Sequence, residues 1–273
     1  MSASVRAIGW KAHAALVRNA GARAGDLPRF GDSAYRLADG EPIWIGTGDV
    51  AMHPRAVVFE THSAAIGPLR LATIEPWRAP RLQLDTSSSR RLREGCAALA
   101  LGALGCDDPP PGFATLLAGR PPAFPLDRAV PYVRLLARAI DRDEAHLAYA
   151  AALPLLGLGP GLTPSGDDFV GAALFARRLF GMDGAWTAAT LRLIDMASTR
   201  THAIGAALFR DLAEGHSFAP LHRLAECLAA GEPAQAAARD LTAIGHSSGF
   251  DMLAGFITGA IGTAALPDFR VDK

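Results

Sequence analysis

The chain has 273 residues, half of them hydrophobic and a fifth charged, with a formal net charge of zero. That length and composition allow one large domain or two ordinary ones with a real core, and there is no basic excess of the kind a nucleic-acid binder needs. Of the 27 basic residues only Lys11 and Lys273 are lysine, and neither stands where Schiff-base or Walker-type phosphate chemistry would need it, so pyridoxal-phosphate and P-loop NTPase functions do not fit.

Residues 1–86 read as a β-rich N-terminal domain. The four basic residues Arg6, Lys11, Arg18 and Arg23 interrupt the first 24 positions, so a signal peptide is not expected. A helix is predicted over 5–19. Short apolar runs at 42–46 and 56–59 and alternating segments at 69–74 and 81–84 predict strands. Asp39-Gly40 and Gly48-Asp49 supply turns. A small barrel or sandwich is the expectation.

Residues 87–273 read as a larger α-helical domain, which makes the fold class α+β. A helix is predicted over 90–104, and Asp107-Asp108-Pro109-Pro110-Pro111-Gly112 reads as a linker or rigid turn. One long helical stretch is predicted over 130–156, with Arg138, Asp141, Arg142 and Glu144 outward. Further helices are expected near 165–180, 185–197, 201–214, 220–230, 234–244 and 248–266. The three cysteines, Cys96, Cys106 and Cys227, are too scattered for a disulfide frame or zinc knuckle. No apolar run is long enough to span a bilayer, and a cytoplasmic protein is expected.

Between two of these helices lies Gly157-Leu158-Gly159-Pro160-Gly161-Leu162-Thr163-Pro164-Ser165-Gly166-Asp167-Asp168. Its second half has a near-copy at Ser247-Ser248-Gly249-Phe250-Asp251. Ser165 matches Ser248, Gly166 matches Gly249 and Asp168 matches Asp251. The plainer reading is two capping boxes, with Ser165 and Ser248 as N-caps and Asp168 and Asp251 reaching back. Such a box needs no glycine-proline loop, no second acid at Asp167 and no copy.

The functional reading places two helix N-termini around one pocket. There Gly159, Gly161, Thr163, Ser165, Gly166, Ser247, Ser248 and Gly249 would bind an anionic group. Asp167, Asp168 and Asp251 would be the catalytic acids. Asp168 and Asp251 are also the residues that could hold Mg²⁺ bridging to phosphate oxygens, or orient a substrate amide. Arg200, in Ser198-Thr199-Arg200-Thr201-His202, is a further anion-binding candidate, against a surface arginine beside an N-cap at Thr201. His246 reads equally as a general acid or base and as a bystander.

Gly255, Gly259 and Gly262, set against Gly171 and Ala172, predict that the helices after the two copies pack closely, N-termini together. The loop fails the G-x-G-x-x-G dinucleotide pattern because Leu162 stands at the third glycine position. The chain holds neither a zinc H-E-x-x-H nor a G-x-S-x-G elbow.

With these residues the chain resembles the AllH family. Its Gly-Pro-Gly-Leu-Thr-Pro-Ser/Ala-Gly-Asp-Asp loop is matched by Gly159 to Asp168. Its Thr-Ser-Gly-x-Asp-x-x-x-Gly element is matched by Ser247 to Gly255, with Ser247 in place of threonine. The resemblance implies a component of oxamate carbamoyltransferase, which splits oxalurate with phosphate into oxamate and carbamoyl phosphate in allantoin and purine breakdown. It also implies companion subunits, one of them an FdrA-like protein, and a small anionic substrate; no nucleic-acid or membrane partner is expected. Two other functions compete with it. One is a non-catalytic structural or regulatory subunit. The other is a nucleotide- and Mg²⁺-dependent kinase or ligase.

Overall fold

The computed structural model describes residues 5–18, 25–30, 33–60, 74–104, 108 and 110–269. They form two compact units, Met1–Pro80 with His216–Ala219, and Arg81–Gly215 with Pro220–Lys273. The fold class is α+β, as expected.

The first unit holds one five-stranded sheet where a barrel or sandwich was expected. Its strands are β1 (Val5–Ile8), β2 (Gly25–Phe30), β3 (Ser33–Ala38), β4 (Glu41–Thr47) and β5 (Ala56–Phe59), in the order β1-β5-β4-β3-β2. Only the β4–β5 pair is parallel. Asp39-Gly40 closes a two-residue β3–β4 hairpin, with Ala38 opposite Glu41. The expected helix over 5–19 is corrected: residues 5–8 are β1, and α1 spans Trp10–Arg18. Val5-Arg6-Ala7-Ile8 pairs antiparallel with β5, with an irregularity between Val5 and Ala7, and Ile8 is buried. Ala12 and Ala15 of α1 join Ile8, Ile43, Val57 and Phe59 in the core. Residues 81–84 carry no strand, since nothing among the described residues pairs with them. The strand expected at 69–74 lies almost wholly outside the described residues.

The second unit carries α2 (Thr86–Ala103), α3 (Val130–Asp141), α4 (Ala145–Ala152), α5 (Ser165–Leu179), α6 (Gly184–Arg200), α7 (Ala203–Ala213), α8 (Ala219–Ala230), α9 (Gln235–Thr242) and α10 (Ser248–Ile261). The long helix expected over 130–156 is two helices and a short 3-10 turn, Leu153–Leu155. The break falls at Asp143, which takes a left-handed φ of 56°, a conformation that ends a helix. Helix α5 is buried on every side from Ser165 to Ala176, the mark of a central helix.

Its nearest neighbour is α10, which runs parallel to it. A Cβ at Gly255 would stand 2.1 Å from the Phe169 carbonyl oxygen, and one at Gly259 would stand 2.4 Å from that of Ala173. Only glycine allows the two backbones to come this close. Gly255 and Gly259 thus set both helix N-termini side by side, whereas Gly171 faces Leu212 and Phe209 and Gly262 faces Asp141. Another 3-10 turn, Gly112–Leu116, stacks Phe113 on Phe169 with ring centroids 5.1 Å apart.

Candidate functional site

The two helix starts are built alike, but not as capping boxes. The N-cap positions are Pro164 and Ser247, and neither side chain caps its helix. Ser165 and Ser248 are the first residues inside their helices, which corrects the N-cap reading. The backbone does the capping. In α5 the Gly166 N–H donates to Leu158 O (2.9 Å) and the Asp168 N–H to Pro164 O (3.2 Å). In α10 the Gly249 N–H donates to Ile244 O (3.0 Å) and the Asp251 N–H to Ser247 O (2.8 Å).

The glycine of each Ser-Gly-x-Asp is there because another backbone crosses it. A Cβ at Gly166 would stand 1.8 Å from Leu155 O, and one at Gly249 would stand 1.9 Å from Leu241 O. Gly159 (φ 113°) and Gly245 (φ 63°) take matching left-handed turns, each folded onto the serine that follows. The pseudo-repeat therefore lies in the backbone closure of each glycine, although Gly166 reaches back to Leu158 and Gly249 only to Ile244.

Because the backbone caps both helices, the serine and aspartate side chains are released, and they exchange across the helix pair. The Ser248 hydroxyl of α10 faces Asp168, and the Ser165 hydroxyl of α5 faces Asp251. Thr163 Oγ1 and Ser248 Oγ, 85 residues apart, lie 2.6 Å from each other. Asp168 is 4% exposed and Asp251 is 0% exposed. Oδ2 of each has no hydrogen-bond partner among the described residues.

Burial, with the charges of Asp251 and Asp167 beside it, pushes the Asp168 carboxyl well above its ordinary range, against the Ser248 and Thr163 hydroxyls. Burial raises Asp251 to about 6, against the Phe113 N–H and the Ser165 and Ser247 hydroxyls. A pair of carboxylates in one buried place holds a proton more tightly than either would in water.

Asp167 belongs to a different arrangement. Its Oδ1 accepts the Gly157 N–H at 2.7 Å. Its Oδ2 packs beside Gly205 and the Thr201 hydroxyl. Burial raises its carboxyl, while the Gly157 N–H, Thr201 and His202 favour the charged form. Asp167 therefore ties the glycine loop to the start of α7, one residue away from the pair. His202, the N-cap of α7, also lies 3.1 Å from Gly161 O through Nε2, so the N-cap expected at Thr201 is shifted by one. Arg200 is an exposed side chain at the end of α6 with no recorded contact to the pair, and only its carbonyl approaches the loop, against Gly157. His246 is exposed as well.

Phe113 is a neighbour of the carboxylate pair that the sequence did not reveal. Its N–H donates to Asp251 Oδ1 at 2.6 Å. Gly112, at φ 66°, leaves room for that oxygen, which a Cβ would approach to 2.2 Å. The segment read as a linker is a third wall of the site. No local signal joins it to Asp251, 138 residues on.

Among the described residues no group of three or more His, Cys, Asp and Glu side chains is arranged to hold a metal ion. Nor is any helix long and apolar enough to cross a membrane.

Fold and site together define an α+β chain with paired, parallel helix starts that exchange serine and aspartate across one buried carboxylate pair. Residues 155–260 match the family model described as oxamate carbamoyltransferase subunit AllH. The match contains both helix starts and bears out, over that segment, the resemblance read from the two motifs. No solved structure matches the chain.

Proposed function

We propose that the chain is a subunit of a carbamoyltransferase of the oxamate carbamoyltransferase kind, and that Asp168 and Asp251 act on its substrate. The observation that carries this is the carboxylate pair. Two buried acids that each keep an unpartnered oxygen are a cost to the fold, and helix capping gives no reason for them, because the backbone already caps both helices. The family model supplies the reaction class.

In that reaction a phosphate oxygen bonds to the carbamoyl carbon of oxalurate, and the bond from that carbon to the ureide nitrogen breaks. The departing nitrogen must gain a proton to become the amide of oxamate. The phosphate, entering as hydrogen phosphate, must lose one. A pair of carboxyls sharing one proton meets both needs: the protonated member donates to the nitrogen, and the ionised member takes the proton from phosphate. The two exchange roles and the balance closes.

Mg²⁺ is held by one or two carboxylates, with water and substrate oxygens completing its shell. Asp168 and Asp251 are the residues that would hold it, and it would neutralise charge at the site; no step above runs through it. Companion subunits, an FdrA-like protein among them, would complete the enzyme in the cytoplasm, in keeping with free Cys96 and Cys227.

The test is reconstitution. The chain and its companions are mixed with oxalurate and phosphate, and carbamoyl phosphate is measured. Activity that needs this chain supports the proposal. Full activity without it contradicts the proposal, and turnover that requires a nucleotide would favour a kinase or ligase.

A further inference from the structure

An anion-binding site needs donors or positive charge directed at it. At these helix starts most of the first-turn donors are already engaged. The Gly166 N–H is held by Leu158 O, the Asp167 and Asp168 N–H groups by Pro164 O, the Gly249 N–H by Ile244 O and the Asp251 N–H by Ser247 O, all between 2.8 and 3.2 Å. The charges that act on Asp168 are those of Asp251 and Asp167, both negative. Asp251 is met by the Phe113 N–H and two hydroxyls. His202 acts on Asp167 and not on the pair, and the Arg200 side chain is exposed.

What the site offers instead is acceptors: Oδ2 of Asp168, 4% exposed, and Oδ2 of Asp251, fully buried, both without a partner among the described residues. Four hydroxyls, of Thr163, Ser165, Ser247 and Ser248, surround them and can donate or accept. Thr163, Ser247 and Ser248 are half-buried and Ser165 is buried, so the first three form the side facing solvent.

We infer that this site receives an N–H donor, the amide or ureide end of a substrate, and does not bind its phosphate or carboxylate end. A ureide presents two N–H bonds side by side, one from each nitrogen, on the edge opposite its carbonyl, which suits two orphaned acceptors. The charged oxygens of the anionic ends are then met away from the pair, and only the phosphate hydroxyl reaches the ionised carboxyl, once the ureide is in place. This departs from the anion pocket expected at Ser165, Ser248 and their glycines, and it rests on the pair being the working site, as proposed above.

The test uses NMR of the isolated full chain, without Mg²⁺, titrated with three probes. They are N-carbamoylglycine, its isostere 4-oxopentanoate, which replaces each N–H group by a carbon group, and inorganic phosphate. The inference expects N-carbamoylglycine to shift the amides of 157–168 and 247–251 saturably. It expects 4-oxopentanoate to bind about tenfold more weakly or worse, because a site built for hydrogen bonds rejects the analogue without them. Phosphate should leave these amides unmoved.

Asp168→Ala and Asp251→Ala should each weaken ureide binding by a similar factor; should either fail to fold, the wild-type comparison of the three probes decides. Saturable phosphate shifts at these amides, equal binding of the isostere, or no response to any probe overturns the inference. The result is separable from the enzyme assay. A chain that binds phosphate here yet is required for activity removes this inference alone, and a chain that binds ureides but is dispensable removes the carbamoyltransferase role alone.

Discussion

Gly255→Ala probes the contact that holds the two helix starts together. The new Cβ would stand 2.1 Å from the Phe169 carbonyl oxygen, where ordinary contact begins at 3.4 Å. Backbone cannot swing aside like a side chain, so α10 must retreat from α5 by about 1 Å, a strain of the size that costs ~1–3 kcal/mol in a packed core. The retreat also stretches the Ser165–Asp251 and Ser248–Asp168 contacts across the pair, at about 0.5–1.5 kcal/mol each. Alanine's better helix propensity returns about 1 kcal/mol. The net expectation is a loss of about 2–4 kcal/mol, read from the urea midpoint by circular dichroism. Gly102→Ala is the matched control: it lies in α2 with nothing within 4 Å of its Cβ, and should gain up to about 1 kcal/mol. If Gly255→Ala behaves like the control, the close parallel contact is wrong.

Three further outcomes follow from the site. Asp251 holds its proton to about pH 6 when folded, above the ordinary 3.8. Its contribution is thus fully present below about pH 4 and is lost as pH rises through 6, on the order of 2–3 kcal/mol in all. Wild type should lose that much relative to Asp251→Asn between about pH 4 and 8 in chemical unfolding, and parallel pH profiles would contradict it. Gly112→Ala forces a left-handed φ on alanine and pushes on Asp251 Oδ1, so a loss of about 2–4 kcal/mol is expected from strain and the broken Phe113 bond; a change under about 0.5 kcal/mol, the range of an ordinary surface substitution, would show that the turn is not tied to the site. Thr163→Val removes the 2.6 Å contact with Ser248 and should lower stability by about 0.5–1.5 kcal/mol, while Thr163→Ser keeps most of it; equal stability of the two variants would count against the contact.

What the sequence revealed was whatever is written locally. The Ser-Gly-x-Asp copies, the glycine-proline loop and the small residues of α10 are each a short run, and together they foretold two helix starts packed side by side. The capping boxes were misread because Ser165 and a true N-cap differ by one residue, and the choice is made by carbonyls of Leu158 and Ile244 that no spacing rule can place. Asp167 and Asp168 look equivalent in sequence, yet successive helical positions point about 100° apart, so one faces Gly157 and the other faces α10. The role of Phe113 depends on a contact 138 residues away. Residues 5–8 were taken into a helix because their strand partner, β5, lies some fifty residues on. The break at Asp143 was hidden because the apolar pattern continues on both sides of it.

The claim at the centre is that the buried Asp168–Asp251 pair does chemistry. The most direct measurement is phosphate-dependent release of oxamate from oxalurate by the assembled complex carrying Asp251→Asn in this chain, with assembly and unfolding midpoint checked alongside. The account predicts a fall in kcat of about 100-fold or more, the usual contribution of a positioned acid or base, with the complex intact. An intact complex with a kcat within about twofold of wild type, far short of that contribution, would contradict it.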